Sequence, residues 1–215
     1  MKQEEFSSLL QQPYLFHLHT NYTDGQLEVE DYFRFARTHG VKTIFFTEHV
    51  RKDLKYDFHA FVDDIKAVEA KYEGIRGVIA AEAKILPEGD LDISQAVFDT
   101  IDVLCFACHG FPDDFDLYYR SFQRLLSDEK WKQKVRVFVH PGRYLKKRHI
   151  QEDIYWNKLN ELLLLGASNG VYIEDNKREM LPPDISIIPS DLQIVGFDIH
   201  NFNGLEKWLN HYQSK

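Results

Sequence analysis

Few residues in this chain are suited to staples, anchors or linkers. Among 215 residues there are 2 cysteines, 2 methionines and 7 prolines. A disulfide framework is therefore excluded as the source of the fold. No apolar run reaches the ~18 to 20 residues needed to cross a bilayer. The Met1–Pro13 segment is polar and acidic, unlike a secretory leader. Positive charge is also short: 26 Lys and Arg face 34 Asp and Glu, a formal net charge of -8. Without a spanning apolar run a membrane is not an expected partner, and without a basic stripe nucleic acid is disfavoured. No low-complexity or Pro/Gly/Ser-rich stretch could serve as a linker. With 44% hydrophobic and 28% charged residues, one globular domain over residues 1–215 is expected, with a cytoplasmic location.

The two cysteines lie in Cys105-Phe-Ala-Cys108-His109, which matches the c-type haem and thiol-redox spacing. No second cysteine pair completes a zinc site, and Cys105 sits inside an apolar run. Both are read as small buried core residues.

What is abundant is alternation. Short β-branched or aromatic runs predict strands at Tyr14–His19, Thr43–Thr47, Arg76–Lys84, Val103–Cys108, Arg136–Val139, Gly170–Ile173 and Gln193–Asp198. Between them, helical periodicity predicts helices at Glu28–Thr38, Phe58–Lys71, Leu91–Thr100, Phe115–Leu126 and Glu152–Leu165, with a last one at Leu205–Tyr212. The Pro-rich Leu181–Leu192 segment is too broken for a full helix.

Each predicted strand ends on an ionisable side chain: His17 and His19, Glu48 and His49, Glu82, His109, His140, Glu174, and Asp198 and His200. Taking one per strand, the spacing is 24 to 34 residues, the size of a strand–helix unit returning to a neighbouring parallel strand. In a parallel barrel all these ends share one face. His17 with His19, and Asp198 with His200, are two residues apart and in an extended strand aim to the same side. Six of the 10 histidines occupy these ends. Imidazoles and carboxylates crowded together away from water call for a divalent cation.

The residues that carry this pattern resemble the PHP (polymerase and histidinol phosphatase) family. Phe16-His17-Leu18-His19-Thr20 with Thr23-Asp24-Gly25 is similar to its opening H-x-H-T and S-D-G motifs, and Thr47-Glu48-His49 to its T-D-H motif. Glu82, His109-Gly110 and His140-Pro141-Gly142 match the next three, and Asp198-Ile199-His200 resembles the closing D-x-H. The resemblance implies a distorted (β/α)7 barrel of parallel strands with the metal site at their C-terminal ends. It implies two to three divalent ions, and mixed imidazole and carboxylate ligands suit Zn, Mn or Fe alike. One would be held by His17, His19, Glu82 and Asp198, a second by Glu82, His109 and His140, and a third by Asp24, His49 and His200. Glu48, where Asp is usual, would orient an imidazole. Phe197 stands where a small residue is usual before Asp198, and Phe16 where Leu or Ile is usual before His17.

The implied activity is that of a metal-dependent phosphoesterase. It would use water activated by the ions to hydrolyse a small phosphate monoester, such as a histidinol-phosphate-like or nucleotide-derived compound. Asp198 or His200 would handle protons, and Arg143, Arg51 or Arg178 would meet the phosphate, since a guanidinium fork bonds two oxygens at once. Asn176 and Lys177 are further pocket candidates. His39, His59, His149 and His211 lie away from strand ends and are read as ordinary. An amidohydrolase-type C–N or C–O hydrolase is the alternative, with Glu82 where such sites often bridge metals by a carbamylated lysine. A non-catalytic metal-binding module is a third. The oligomeric state, metal identity and physiological substrate are left open.

Overall fold

The computed structural model describes residues 1–179 and 185–213. Its strands are β1 (Tyr14–Leu18), β2 (Thr43–Val50), β3 (Arg76–Ile85), β4 (Leu91–Asp92), β5 (Val103–Ala107), β6 (Val135–Phe138), β7 (Val171–Asn176) and β8 (Gln193–Gly196). They form one sheet in the order β1-β2-β3-β5-β6-β7-β8, parallel throughout, with β4 antiparallel on β3. The sheet curls until its two edges meet. Closure comes from the chain just beyond β8, where Ile199 N–H donates to the His17 carbonyl and His19 N–H to the Ile199 carbonyl, both at 2.8 Å. This is the barrel expected from seven strand ends, and the first and last polar motifs are stitched together directly.

The helices are α1 (Gln3–Leu9), α2 (Val29–His39), α3 (Phe58–Glu69), α4 (Gln95–Thr100), α5 (Phe115–Ser127), α6 (Arg143–Lys147), α7 (Asp153–Ser168) and α8 (Phe202–Gln213). None is long and apolar enough to cross a membrane. The amphipathic ones turn their apolar stripe to the sheet, as Tyr32, Phe33 and Ala36 of α2 do. Their starts are set by side-chain caps, Asp57 for α3, Ser94 for α4 and Asp114 for α5.

Three local elements depart from expectation. The helix expected from Leu91 begins only at Gln95, because Pro87-Glu88-Gly89 turns the chain and Leu91–Asp92 pair with Lys84 and Ile85 instead. Helix α6 was not anticipated, since five residues carry too little periodicity. Neither was α1, whose one fully buried side chain is Phe6. Phe6 plugs the N-terminal end of the barrel, edge-on to Tyr172 at 4.7 Å and Phe45 at 5.3 Å between ring centroids. Its burial contributes roughly 1.5–3 kcal/mol. Of the Leu181–Leu192 segment, residues 181–184 lie outside the described residues, and Ser190–Leu192 makes a single 3-10 turn.

Inside the barrel Phe16, Phe45, Val78, Val103, Cys105, Val137 and Ile194 fill the space between the Phe6 plug and the polar end. The Phe16 departure from the motif is thus a core-filling choice. Cys105 and Cys108 are both buried and unpaired. Burial pushes the Cys108 thiol up to about 12 and raises Cys105 as well. Neither forms thiolate at pH 8. A maleimide or iodoacetamide is expected to label no cysteine in the folded protein and both in urea, read by intact mass. Labelling without denaturant would contradict their place in the core.

Candidate metal centre

At the C-terminal end of the barrel the backbone abandons regular strand geometry. His17, His140 and Asp198 have positive φ angles of 62°, 51° and 47°, in the left-handed region that non-glycine residues rarely adopt. Such a conformation costs on the order of 1–3 kcal/mol per residue and persists only where surrounding structure enforces it. The pairing of β1 with β2 shifts register between Leu15 and Leu18, around His17. His17 and His19 therefore converge, with ring centroids 5.5 Å apart, through a kink rather than through extended alternation. Likewise β8 stops at Gly196, and the kink at Asp198 turns its carboxylate toward His200. Both pairs thus converge through kinks and not through the strand alternation that their two-residue spacing suggests.

Glu82, fully buried on β3, stands at the centre. Its Oε1 lies 2.6 Å from His109 Nε2 and 3.7 Å from His140 Nε2. Its Oε2 lies 3.0 Å from His49 Nδ1, 3.6 Å from His19 Nε2 and 3.7 Å from His17 Nε2. Asp198 is a second hub. Its Oδ1 is 2.8 Å from His200 Nε2, 3.5 Å from His19 Nε2 and 3.8 Å from His17 Nε2, and its Oδ2 is 3.6 Å from His140 Nε2. Asp24 links the outer edge, 3.5 Å from both His49 and His200. The structure thus brings His17, His19, Asp24, His49, Glu82, His109, His140, Asp198 and His200 into one network.

A metal fits this network on chemistry and spacing. Ligand atoms around a tetrahedral ion at 2.0–2.2 Å lie about 3.4 Å apart, and most separations above fall near that value. His17 Nε2, both ring nitrogens of His19, His49 Nδ1 and Glu82 Oε2 are buried and have no hydrogen-bond partner among the described residues. Buried polar atoms are nearly always paired, so five ring and carboxylate atoms left without a hydrogen bond and facing one another mark a place for a cation. His17, Glu82 and His140 form one set able to hold an ion; His17, His19 and Asp198 form another; His19, His49 and Glu82 a third.

The electrostatics match. Burial drives His19 down to about 4 and His140 well below the usual imidazole range. Burial alone would lower His49 too, but Asp24 and Glu82 on either side lift it to about 9. Burial opposes ionisation of Glu82 and Asp198, yet the surrounding histidines hold both well below the usual carboxylate range.

A model of the PHP domain family matches residues 16–178. The chain belongs to that family. Among solved structures, this PHP domain is similar to a two-domain protein from Bacteroides vulgatus containing a predicted PHP-like metal-dependent phosphoesterase. The TM-score is 0.56 and the identity 16%, over 95% of this chain and 56% of that one. The PHP chain thus spans just over half the length of that protein. It is also similar to a structure described as amidohydrolase II, with TM-score 0.53 and 14% identity over 94% of this chain and 92% of that one. At such identities both likenesses are of fold. No curated protein sequence matches the chain.

Several side chains brace the PHP cluster from behind. Glu174, a strand end with no role assigned from sequence, accepts from the His140 N–H at 2.8 Å and from Asn176 Nδ2 at 3.0 Å, and its other oxygen meets His17 Nδ1 at 2.5 Å. This places a His17 proton on Nδ1 and leaves Nε2 as the ring nitrogen that faces the cluster and can serve an ion. Gly196 makes room for it, because a Cβ there would stand 1.9 Å from Glu174 Oε1. Asn176 also reaches His140 Nδ1 at 3.2 Å, whereas Lys177 pairs with Asp175. Among the described residues Glu48 makes no hydrogen bond to an imidazole, although its motif position suggests one. Its carboxylate accepts from Thr20 N–H and Thr23 Oγ1 and so pins the loop that carries Asp24. Gly25 lets that loop pass the His19 carbonyl, which a Cβ would approach to 2.1 Å.

The three arginines differ. Arg143 is buried beside the cluster, its fork on Glu179 at 2.6 and 3.1 Å, with Asp198 Oδ2 and His109 Nδ1 each at 3.3 Å. Arg178 donates to Asp198 Oδ2 at 2.8 Å. Arg51 turns instead to the Val50 carbonyl and to Asp92 at 3.7 Å. Glu179, which joins His140 and Asp198 in a fourth set able to hold an ion, was missed. It sits in a loop, and no spacing marks it.

Proposed function

We propose that the chain is a metal-dependent phosphoesterase acting on a small phosphate monoester. The observation that carries this reading is the set of orphaned imidazole and carboxylate atoms around Glu82 and Asp198, with two guanidinium groups at its edge. In this reading His17, His19, Glu82 and Asp198 hold one ion; Glu82, His109 and His140 a second; and Asp24, His49 and His200 a third. Bound Zn, Mn or Fe would supply Lewis acidity toward the phosphate and an activated water.

The chain's own groups do the rest. Arg143 and Arg178 bind the non-bridging phosphate oxygens, trading carboxylate partners for phosphate. Arg51, engaged with Asp92, is left out of this role. Asp198 and His200, 2.8 Å apart, lie close enough to the proposed reaction centre to handle protons, and whichever of the two is not bound to an ion takes that role at the departing alkoxide. Membership of the PHP family supports phosphate chemistry, the two solved neighbours, one of each kind, being alike in fold alone. So does the bridging position held by Glu82 rather than lysine.

The test is inorganic phosphate release from a panel of simple monoesters, with Mn or Zn added. Wild type is expected to turn over at least one, and a chelator to abolish the activity. Arg143→Ala is expected to raise KM by about tenfold or more, since a charge-assisted fork to phosphate is lost. Amide or lactone hydrolysis without phosphate release would favour the amidohydrolase reading. Metal uptake without any hydrolysis would favour a binding module.

A further inference from the structure

Next to the cluster a cavity of about 170 Å³ opens between the end of β8 and the start of α8, with Asp198 and His200 on one wall. The other groups that matter are Arg178, Lys207, Asn201, Asn203 and Phe197. Asp198 is the one acid of this lining, and its oxygens already face four imidazoles and two guanidinium groups. Arg178 spends one terminal nitrogen on Asp198, while its Nε and Nη2 have no partner among the described residues. Lys207 Nζ likewise has none. Asn201 caps α8 through its oxygen, accepting from Gly204 N–H at 3.2 Å, which leaves its NH2 as a donor. In a chain of net charge -8, this is a recess of unspent cationic and amide donors opening onto the proposed reaction centre. Phe197, the residue that departs from the family's small side chain, provides an apolar wall.

We propose that this cavity is a subsite for an oxyanion on the alcohol portion of the substrate. The ester hydrolysed then carries, beyond the scissile phosphate, a second acidic group, a carboxylate or a second phosphate. The scissile phosphate sits on the cluster with Arg143. A short aliphatic stem runs along Phe197, and the second anion meets Lys207 and the free edge of Arg178. The inference rests on the phosphoesterase reading, but its test does not need turnover.

The test uses non-hydrolysable phosphonates binding to the Mn- or Zn-loaded protein, measured by calorimetry. 3-Phosphonopropionate and propane-1,3-bisphosphonate are compared with propylphosphonate, which has the same stem and no second acid. One acid-bearing compound is expected to bind about tenfold or more tighter than propylphosphonate, the worth of a charge-assisted contact. Whichever it is identifies the second group. Lys207→Ala, an exposed position that the fold does not need, removes the advantage, and Lys207→Arg retains it. Equal affinities in wild type, an advantage that survives Lys207→Ala, or no binding of any of the three overturns the subsite. Failure of the phosphoesterase reading shows separately, as absent phosphate release from simple esters.

Discussion

Glu82→Gln is expected to lower metal affinity by more than the roughly 10–100-fold that loss of an outer partner costs, and to reduce phosphate release to background. The substitution keeps side-chain volume, so the barrel should fold with an unchanged circular dichroism spectrum. What it removes is the charge shared by five imidazoles, at distances from 2.6 to 3.7 Å. An amide offers one oxygen where the carboxylate offers two, and its NH2 group would face ring nitrogens that need to remain lone pairs. Elemental analysis of the purified variant beside wild type checks this. Full metal content and activity in Glu82→Gln would remove Glu82 from the centre of the account.

Substitution of Glu174 separates support from ligation. In Glu174→Ala the buried His140 N–H and the Asn176 amide lose their acceptor, each costing about 1–3 kcal/mol, so a marked fall in thermal stability is expected. Glu174→Gln is subtler. The amide oxygen can still serve His140, but an NH2 group placed against His17 Nδ1 reverses the tautomer and puts the proton on Nε2, where the lone pair faces the cluster. The expected result is a small stability change with metal affinity reduced by roughly 10–100-fold, read by competition with a chromophoric chelator. Wild-type metal affinity in Glu174→Gln would mean that the 2.5 Å contact does not set the His17 tautomer.

The barrel and the convergence of the strand ends were legible because both depend on local pattern. Apolar runs bounded by polar residues define strands, and regular spacing of about 30 residues defines parallel return. Kinks were not legible. Nothing in Phe16-His17-Leu18 announces that His17 takes a φ of 62°, because the conformation is imposed by closure against Ile199, far away in sequence. Glu174 was visible as a strand end, but its partners, His17 and His140, come from other strands. Glu48 illustrates the limit of a motif: the position matches the family, yet the carboxylate points to the Thr20–Thr23 loop. Phe6 and Glu179 lay beyond reach for a simpler reason, one being the only buried side chain of a seven-residue helix and the other a loop acid.

The measurement that bears most directly on the central claim is calorimetric titration of chelator-treated protein with Zn or Mn at pH 6 and pH 8, with elemental analysis of the saturated product. His49, held up to about 9 by Asp24 and Glu82, carries a proton below that value in the metal-free protein. Metal must displace it, so binding should release protons and tighten as pH rises toward 9. Two or three ions per chain, bound more tightly at pH 8 with proton release, is the result the account predicts. No ion bound at either pH would contradict it.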